Sequence, residues 1–174
     1  MQNIYFLGIG GIGMSALARY FHNKGNRVSG YDKTPSPLTK KLEEEGILIH
    51  YEDNPNLIPE DIDFVILTPA IPKDSQELNC LQSKNIRIIK RAEVLGEISQ
   101  HCKSVAVGGT HGKTTVTALT THILNSAGKK MSAFIGGIAK NINSNVIIGD
   151  ENDEIVVMEA DEFDRSFLHL TPYI

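Results

Sequence analysis

The sequence lacks the features that would place it on nucleic acid, in a membrane or outside the cell. Seventeen basic residues stand against 21 acidic ones, a net charge of −4. That balance leaves no cationic footprint for nucleic acid or for an anionic membrane surface. No apolar stretch approaches the ~18 residues that suggest a membrane-spanning helix. The amino terminus, Met1 to Leu7, has no basic segment and runs straight into a glycine turn, so it reads as a first β-strand and not as a signal peptide. Cysteine is scarce: Cys80 and Cys102 show no C-x-x-C spacing. A disulfide framework is excluded, and reduced structural thiols without a catalytic role are expected. Like charges do not accumulate into a tail. The longest cluster, Lys40-Lys41 followed by Glu43-Glu44-Glu45, reads as a solvated helix face. Together these absences point to a cytoplasmic protein.

What is there is an ordinary globular composition, 41% hydrophobic and 22% charged over 174 residues. That length holds one α/β domain, or one domain and part of a second. Short apolar runs alternate with helical patterns, which predicts βαβ units and a parallel sheet. Strands are expected at Asn3–Leu7, Arg27–Tyr31, Ile47–His50, Phe64–Leu67 and Ile86–Ile89. Helices are expected from Ile12 to Gly25, from Pro35 or Pro37 to Glu45, and over Ala92–Ile98. A second cycle then begins with a strand at Ser104–Val107 and a glycine loop at Gly108–Gly112. Val116, Leu119, Ile123 and Ala127 follow at helical spacing, as one face of a helix closed by Gly128. Met131–Ile135 and Ile155–Met158 read as strands, Val146–Ile148 as a short one. A boundary near 99–104 gives a first domain over 1–100 and a second over 101–174. The second would have a thin core for a parallel sheet, which needs both faces covered. Thr171 to Ile174 heads into another strand, so the second domain reads as truncated.

Two glycine motifs carry chemistry. Gly8-Ile9-Gly10-Gly11-Ile12-Gly13 fits G-x-G-x-x-G between a strand and a helix. There Gly8 permits the tight turn, Gly10 lets the backbone approach a pyrophosphate, and Gly13 lets helix pack on strand. Asp32 ends the second strand, where an acidic residue meets a ribose hydroxyl. The pyrophosphate is implied; whether NAD or a UDP-sugar carries it is left open. Gly109-Thr110-His111-Gly112-Lys113-Thr114-Thr115 resembles a P-loop, in the shorter form G-x-x-G-K-[ST] because Val107 occupies the position of the first glycine. Its backbone would curve around ATP phosphates, Lys113 would reach the β/γ-phosphates, and a threonine hydroxyl, that of Thr114, would ligate Mg²⁺. His111 either lines that loop or packs beside it. The strand Ile155–Met158 runs into Glu159-Ala160-Asp161-Glu162-Phe163-Asp164, carboxylates placed where a nucleotide-hydrolysing fold holds its magnesium ligand. His50, Asn54 and Thr68 lie near strand ends as surface or capping residues, and His22 and His101 on solvent-facing helix positions.

Gly8 to Met14, Gly109 to Thr115 and Glu159 to Asp164, in that order, resemble the Mur ligases of peptidoglycan synthesis. Among them the resemblance is to members that join L-alanine to UDP-N-acetylmuramate. It implies a Rossmann-like domain for the UDP-sugar, a central P-loop ATPase-type domain and a third domain. It further implies that Gly8, Gly10, Gly11 and Gly13 hold the UDP pyrophosphate with Asp32 near the nucleoside. Gly112, Lys113, Thr114 and Thr115 would hold ATP phosphates, and Glu159 would ligate Mg²⁺. Lys113 and Glu159 are then the residues expected to serve catalysis. In the implied reaction the muramoyl carboxylate takes the γ-phosphoryl group of ATP and the amine of L-alanine displaces phosphate. Phe163 and Arg165 depart from the family's usual run around Asp164. By the same resemblance a further magnesium-binding histidine, the adenine contacts and the amino-acid domain lie beyond residue 174, so no turnover is expected of this chain. The rivals are a muropeptide-recycling ligase, an NAD-dependent dehydrogenase and a non-catalytic UDP-sugar-binding module.

Overall fold

Ile4, Tyr5, Phe6 and Leu7 are each at most 1% exposed, which is the burial of a strand covered on both faces. In the computed structural model they form β1 (Asn3–Leu7), the middle of a five-stranded sheet. The structure describes residues 1–140, 142–149, 155–160 and 169–174. Two compact units emerge, Met1–Arg91 and Ala92–Ile174.

In the first unit β2 (Arg27–Tyr31) and β4 (Phe64–Leu67) flank β1, with β3 (Leu48–His50) and β5 (Arg87–Lys90) outside them. All pairings are parallel, in the order β3-β2-β1-β4-β5. This is the expected Rossmann-like arrangement. The chain builds outward from β1 on one side and then returns to build on the other. A crevice therefore opens beyond the carboxyl ends of β1 and β4, where such sheets bind ligands. Helix α1 (Ile12–Asn23) buries Met14, Ala16 and Leu17, and α2 (Pro37–Glu44) buries Leu42. A reciprocal cap starts α2: the Ser36 side chain accepts from Thr39 N (3.1 Å) and Thr39 Oγ1 accepts from Ser36 N (2.8 Å). The acidic run after it is not a purely solvated face. Glu45 pairs with Arg19, 2.7 Å away and only 4% exposed. Helix α3 (Gln76–Ser83) has no counterpart among the expected elements. Eight residues anchored by Leu78 and Leu81 are too short to print a periodicity.

In the second unit α4 (Arg91–His101) leads into β6 (Lys103–Val107). The division at Arg91 thus places α4 with the second unit, whereas the boundary expected at 99–104 left it in the first. Helix α5 (Lys113–Ser126), β7 (Met131–Ala139), β8 (Ser144–Ile147) and β9 (Ile155–Glu159) follow. The sheet order is β6-β9-β7-β8, parallel except for β8. Met131, Ala133 and Val157 centre its core. Helix α5 corrects an expectation. Val116, Leu119 and Ile123 do share a face, but they are 48%, 56% and 64% exposed, and Ala127 is exposed as well. The sheet-facing side is instead formed by Thr117 and Thr121, both buried. Residues 169–174 lie along α4 and β6: Thr171 N donates to Ser99 Oγ (3.2 Å) and Ala106 N to Ile174 O (2.9 Å). The close approach explains Gly96 inside a helix, since a Cβ there would sit 2.5 Å from His169 O.

Candidate functional site

The first unit carries a cleft of about 830 Å³ beyond the strand ends. Gly8, Gly10, Gly11 and Asp32 line it, as the glycine fingerprint requires, together with Thr68, Asp53, Ser75 and Gln76. Gly8 has φ +86°, and a Cβ on it would overlap Thr68 Cγ2. Its N–H and that of Ile9 both donate to Tyr31 O, at 2.8 and 3.1 Å, which pins the turn to the end of β2. Asp32 does more than end that strand. Its Oδ2 accepts from Gly10 N at 2.7 Å and its Oδ1 from Thr34 N at 3.2 Å, so the carboxylate braces the turn. Gly11 opens α1 with no side-chain cap, leaving the helix end suited to an anion. Gly13 is not among the lining residues. A Cβ on it would overlap the Arg91 guanidinium, which stands beside the head of α1. Burial, followed by the nearby Asp53 carboxylate, raises the Tyr31 pKa.

The second unit holds the other motif. The parallel register sets Val107, the last residue before the glycine loop, opposite Glu159 at the tip of β9. Ala160 N donates to Val107 O at 2.9 Å and continues the pairing. Gly109 (φ +141°) and Gly112 (φ +78°) take backbone shapes that side chains resist, and Gly112 opens α5 with no side-chain cap. Gly108, Gly109, Thr110, His111, Gly112, Thr114 and Thr115 are exposed, so His111 does not pack into the core. Lys113 curls back over the loop, with Nζ donating to Gly109 O at 2.7 Å.

Two glycines that sequence reasoning passed over complete this site. Gly136 N donates to Glu159 Oε1 at 2.9 Å, and a Cβ on Gly136 would overlap the Glu159 carboxylate. A Cβ on Gly137 would lie 3.1 Å from Thr114 Cγ2. The only signal in the sequence is a Gly-Gly pair following the apolar run that became β7. The residues present fit a phosphate-bound Mg²⁺: one fixed carboxylate, one hydroxyl and a loop of backbone N–H groups, phosphate oxygens and water completing the shell. Among the described residues, no group of three or more His, Cys, Asp or Glu side chains suited to a metal is present. Asp161, Glu162, Phe163, Asp164 and Arg165 lie outside the described residues. Cys80 and Cys102 are not joined in a disulfide, and no helix of the described residues is long and apolar enough to cross a membrane.

Residues 3–103 match the Mur ligase family, catalytic domain. The UDP-N-acetylmuramate–L-alanine ligase of Christiangramia forsetii is 51% identical over 99% of this chain and 39% of its own length. That of Flavobacterium johnsoniae is 55% identical over 100% of this chain and 39% of its own length. The chain thus spans about two fifths of these relatives. Among solved structures, the UDP-N-acetylmuramate-alanine ligase from Thermotoga maritima aligns with a TM-score of 0.88 at 32% identity, covering 99% of this chain and 40% of that one. The UDP-N-acetylmuramate:L-alanyl-gamma-D-glutamyl-meso-diaminopimelate ligase from Neisseria meningitides aligns with a TM-score of 0.90 at 26% identity, covering 99% and 58%.

Proposed function

The chain belongs to the Mur ligase family, and from that premise we propose that it supplies the UDP-sugar site and the phosphate-gripping half of the ATP site of a ligase joining L-alanine to UDP-N-acetylmuramate. The observation that carries the chemistry is the register setting Glu159 beside Val107, one strand away from the glycine loop. The choice of substrate is supported by identities of 51% and 55% to L-alanine ligases and, among solved structures, by 32% to an L-alanine ligase against 26% to the muropeptide ligase. The cytoplasm, where ATP and UDP-sugars are found, is the proposed location.

In this reading Gly8, Gly10 and Gly11 take the pyrophosphate at the head of α1, Asp32 holds the turn and reaches the nucleoside end, and Arg91 adds a cation beside Gly13. Gly109 to Thr115 wrap the ATP phosphates, with Lys113 turning from Gly109 O to the β/γ-phosphates. Thr114 and Glu159 would hold Mg²⁺, which when bound spreads the negative charge gathering on the transferred phosphoryl group. Lys113 acts in the same electrostatic way. The substrate carboxylate is itself the nucleophile toward the γ-phosphorus, so this chain needs no side-chain nucleophile. The amine of L-alanine then displaces phosphate, at a site outside these residues.

Calorimetric titration of the chain with UDP-N-acetylmuramate, NAD and ATP separately tests the reading. Binding of the UDP-sugar without binding of NAD is expected. The converse would make the first unit a dehydrogenase-type domain and defeat the proposal. With UDP-N-acetylmuramate, ATP and L-alanine together, no phosphate release is expected; clear turnover would show that the site is complete within 174 residues.

A further inference from the structure

Beneath the cleft of the first unit lies a chain of ionisable groups that the glycine motif does not use. His50 Nδ1 is 2.9 Å from the Glu52 carbonyl oxygen. Its Nε2 is 2.7 Å from the Tyr5 hydroxyl, and the same hydroxyl is 2.5 Å from Glu77 Oε2. Glu77 Oε1 accepts from Asn54 N at 3.0 Å and lies 3.5 Å from His50 Nε2. The Glu77 side chain is 0% exposed and that of His50 19%.

A carbonyl oxygen only accepts, so His50 Nδ1 carries a hydrogen. If His50 is neutral, its Nε2 is then an acceptor. Tyr5 has one hydrogen to offer and faces two acceptors, Nε2 and Glu77 Oε2. With Glu77 ionised, one of the two short contacts would set lone pair against lone pair. One further proton resolves both. Placed on Glu77, it lets the carboxyl donate to the Tyr5 oxygen while Tyr5 donates to His50. The surroundings favour that position: burial lowers the His50 pKa, and burial first, with Asp53 adding, raises that of Glu77 to about 7. Burial and the adjoining Glu77 keep Tyr5 protonated. Tyr31 from β2, whose ring is 5.6 Å from that of His50, and Glu52 and Asp53 from the loop after β3 are the other ionisable groups around the chain.

The chain ends at the wall of the cleft. Asp53 lines it and accepts from Ser75 Oγ (3.1 Å), Gln76 N (3.0 Å) and Glu77 N (2.9 Å). Ser75 and Gln76, at the head of α3, line it too. The Glu77 side chain therefore ties β1, β3 and the 53–54 loop to the helix that forms one side of the pocket.

We propose that Tyr5, His50 and Glu77 are positioning residues for the pyrophosphate-bearing ligand of this cleft, a clasp closed by one bound proton that fixes the Asp53–Gln76 wall. This rests on the UDP-sugar reading of the first unit. The sign follows directly: above neutral pH the proton leaves, one contact of the clasp is lost, and ligand binding weakens.

The test uses the full chain, titrated calorimetrically with UDP-N-acetylmuramate from pH 6 to 9. Affinity is expected to fall above pH 7, by up to about tenfold per pH unit if binding requires the proton. Glu77→Gln presents an amide N–H where the carboxyl O–H would be and keeps an oxygen for Asn54 N. It should bind as the parent does at pH 6 and lose the pH dependence. An unchanged affinity across the range, or a Glu77→Gln chain that keeps the parent's pH profile, overturns the proposal. The ¹⁵N resonances of the His50 ring give a reading without ligand, with an inflection near neutral pH expected in the parent and absent in Glu77→Gln. Should the UDP-sugar bind at no pH, the functional reading fails, and the ring nitrogens still decide whether the clasp holds its proton.

Discussion

The residues that sequence reasoning could reach are those whose partners are close by along the chain. Gly8, Gly10, Lys113 and Thr114 sit in contiguous motifs, and their spacing alone carries the expectation that they bind phosphate. Gly136 and Glu77 could not be reached that way, because each acquires its meaning from a partner 23 residues away, Glu159 and Asn54 respectively. Gly136→Ala tests the first. Its methyl group would displace the Glu159 carboxylate, so nucleotide affinity in the presence of Mg²⁺ should fall by about tenfold or more while affinity in EDTA stays put. An equal loss under both conditions would mean general damage to the loop. Glu77 also links stability to pH. Burial pushes its folded-state pKa up to about 7, above the ordinary glutamate value of 4.5, so the folded state holds a proton that the unfolded chain releases. Stability should be greatest at the acid end of that interval and decline as pH rises from about 4.5 to about 7. Urea melts across the interval should show this in the parent and not in Glu77→Gln.

Elements were legible where burial on both faces forced a continuous apolar run, as in β1 and β4, whose limits match expectation residue for residue. Helix α3 escaped because a polar octamer signals its start only through Ser75, whose side chain accepts from Leu78 N. Helix α5 was seen but turned the wrong way: apolar periodicity reports a face that prefers to be covered, and threonines can pack on a sheet as well. The difference is measurable. Leu119→Glu on the exposed side should shift the unfolding free energy of this chain by no more than about 0.5 kcal/mol, whereas Leu81→Ala, at 0% exposure, should cost about 2–5 kcal/mol. Ser36→Ala, which removes the cap of α2, should cost about 1 kcal/mol.

For the molecule as a whole, two compact units, each with its own proposed ligand site, should respond separately to ligands. UDP-N-acetylmuramate at a hundred times its dissociation constant should stabilise the first unit by about 2.7 kcal/mol, and Mg²⁺ with ATP should act on the second. Scanning calorimetry with each ligand in turn checks this, and a single transition raised equally by both would show that the units melt as one. The cleft of the first unit also has a kinetic consequence. Three aspartates, Asp32, Asp53 and Asp74, line it against one lysine, Lys33, in a chain of net charge −4. A UDP-sugar bearing a pyrophosphate and a carboxylate, the ligand proposed for it, would therefore arrive against a repulsive field and be held only once backbone N–H groups replace its water. Added salt shortens the reach of that field, to about 8 Å at physiological ionic strength. Capture of this ligand should quicken as salt is added, the reverse of what electrostatic steering does for oppositely charged partners.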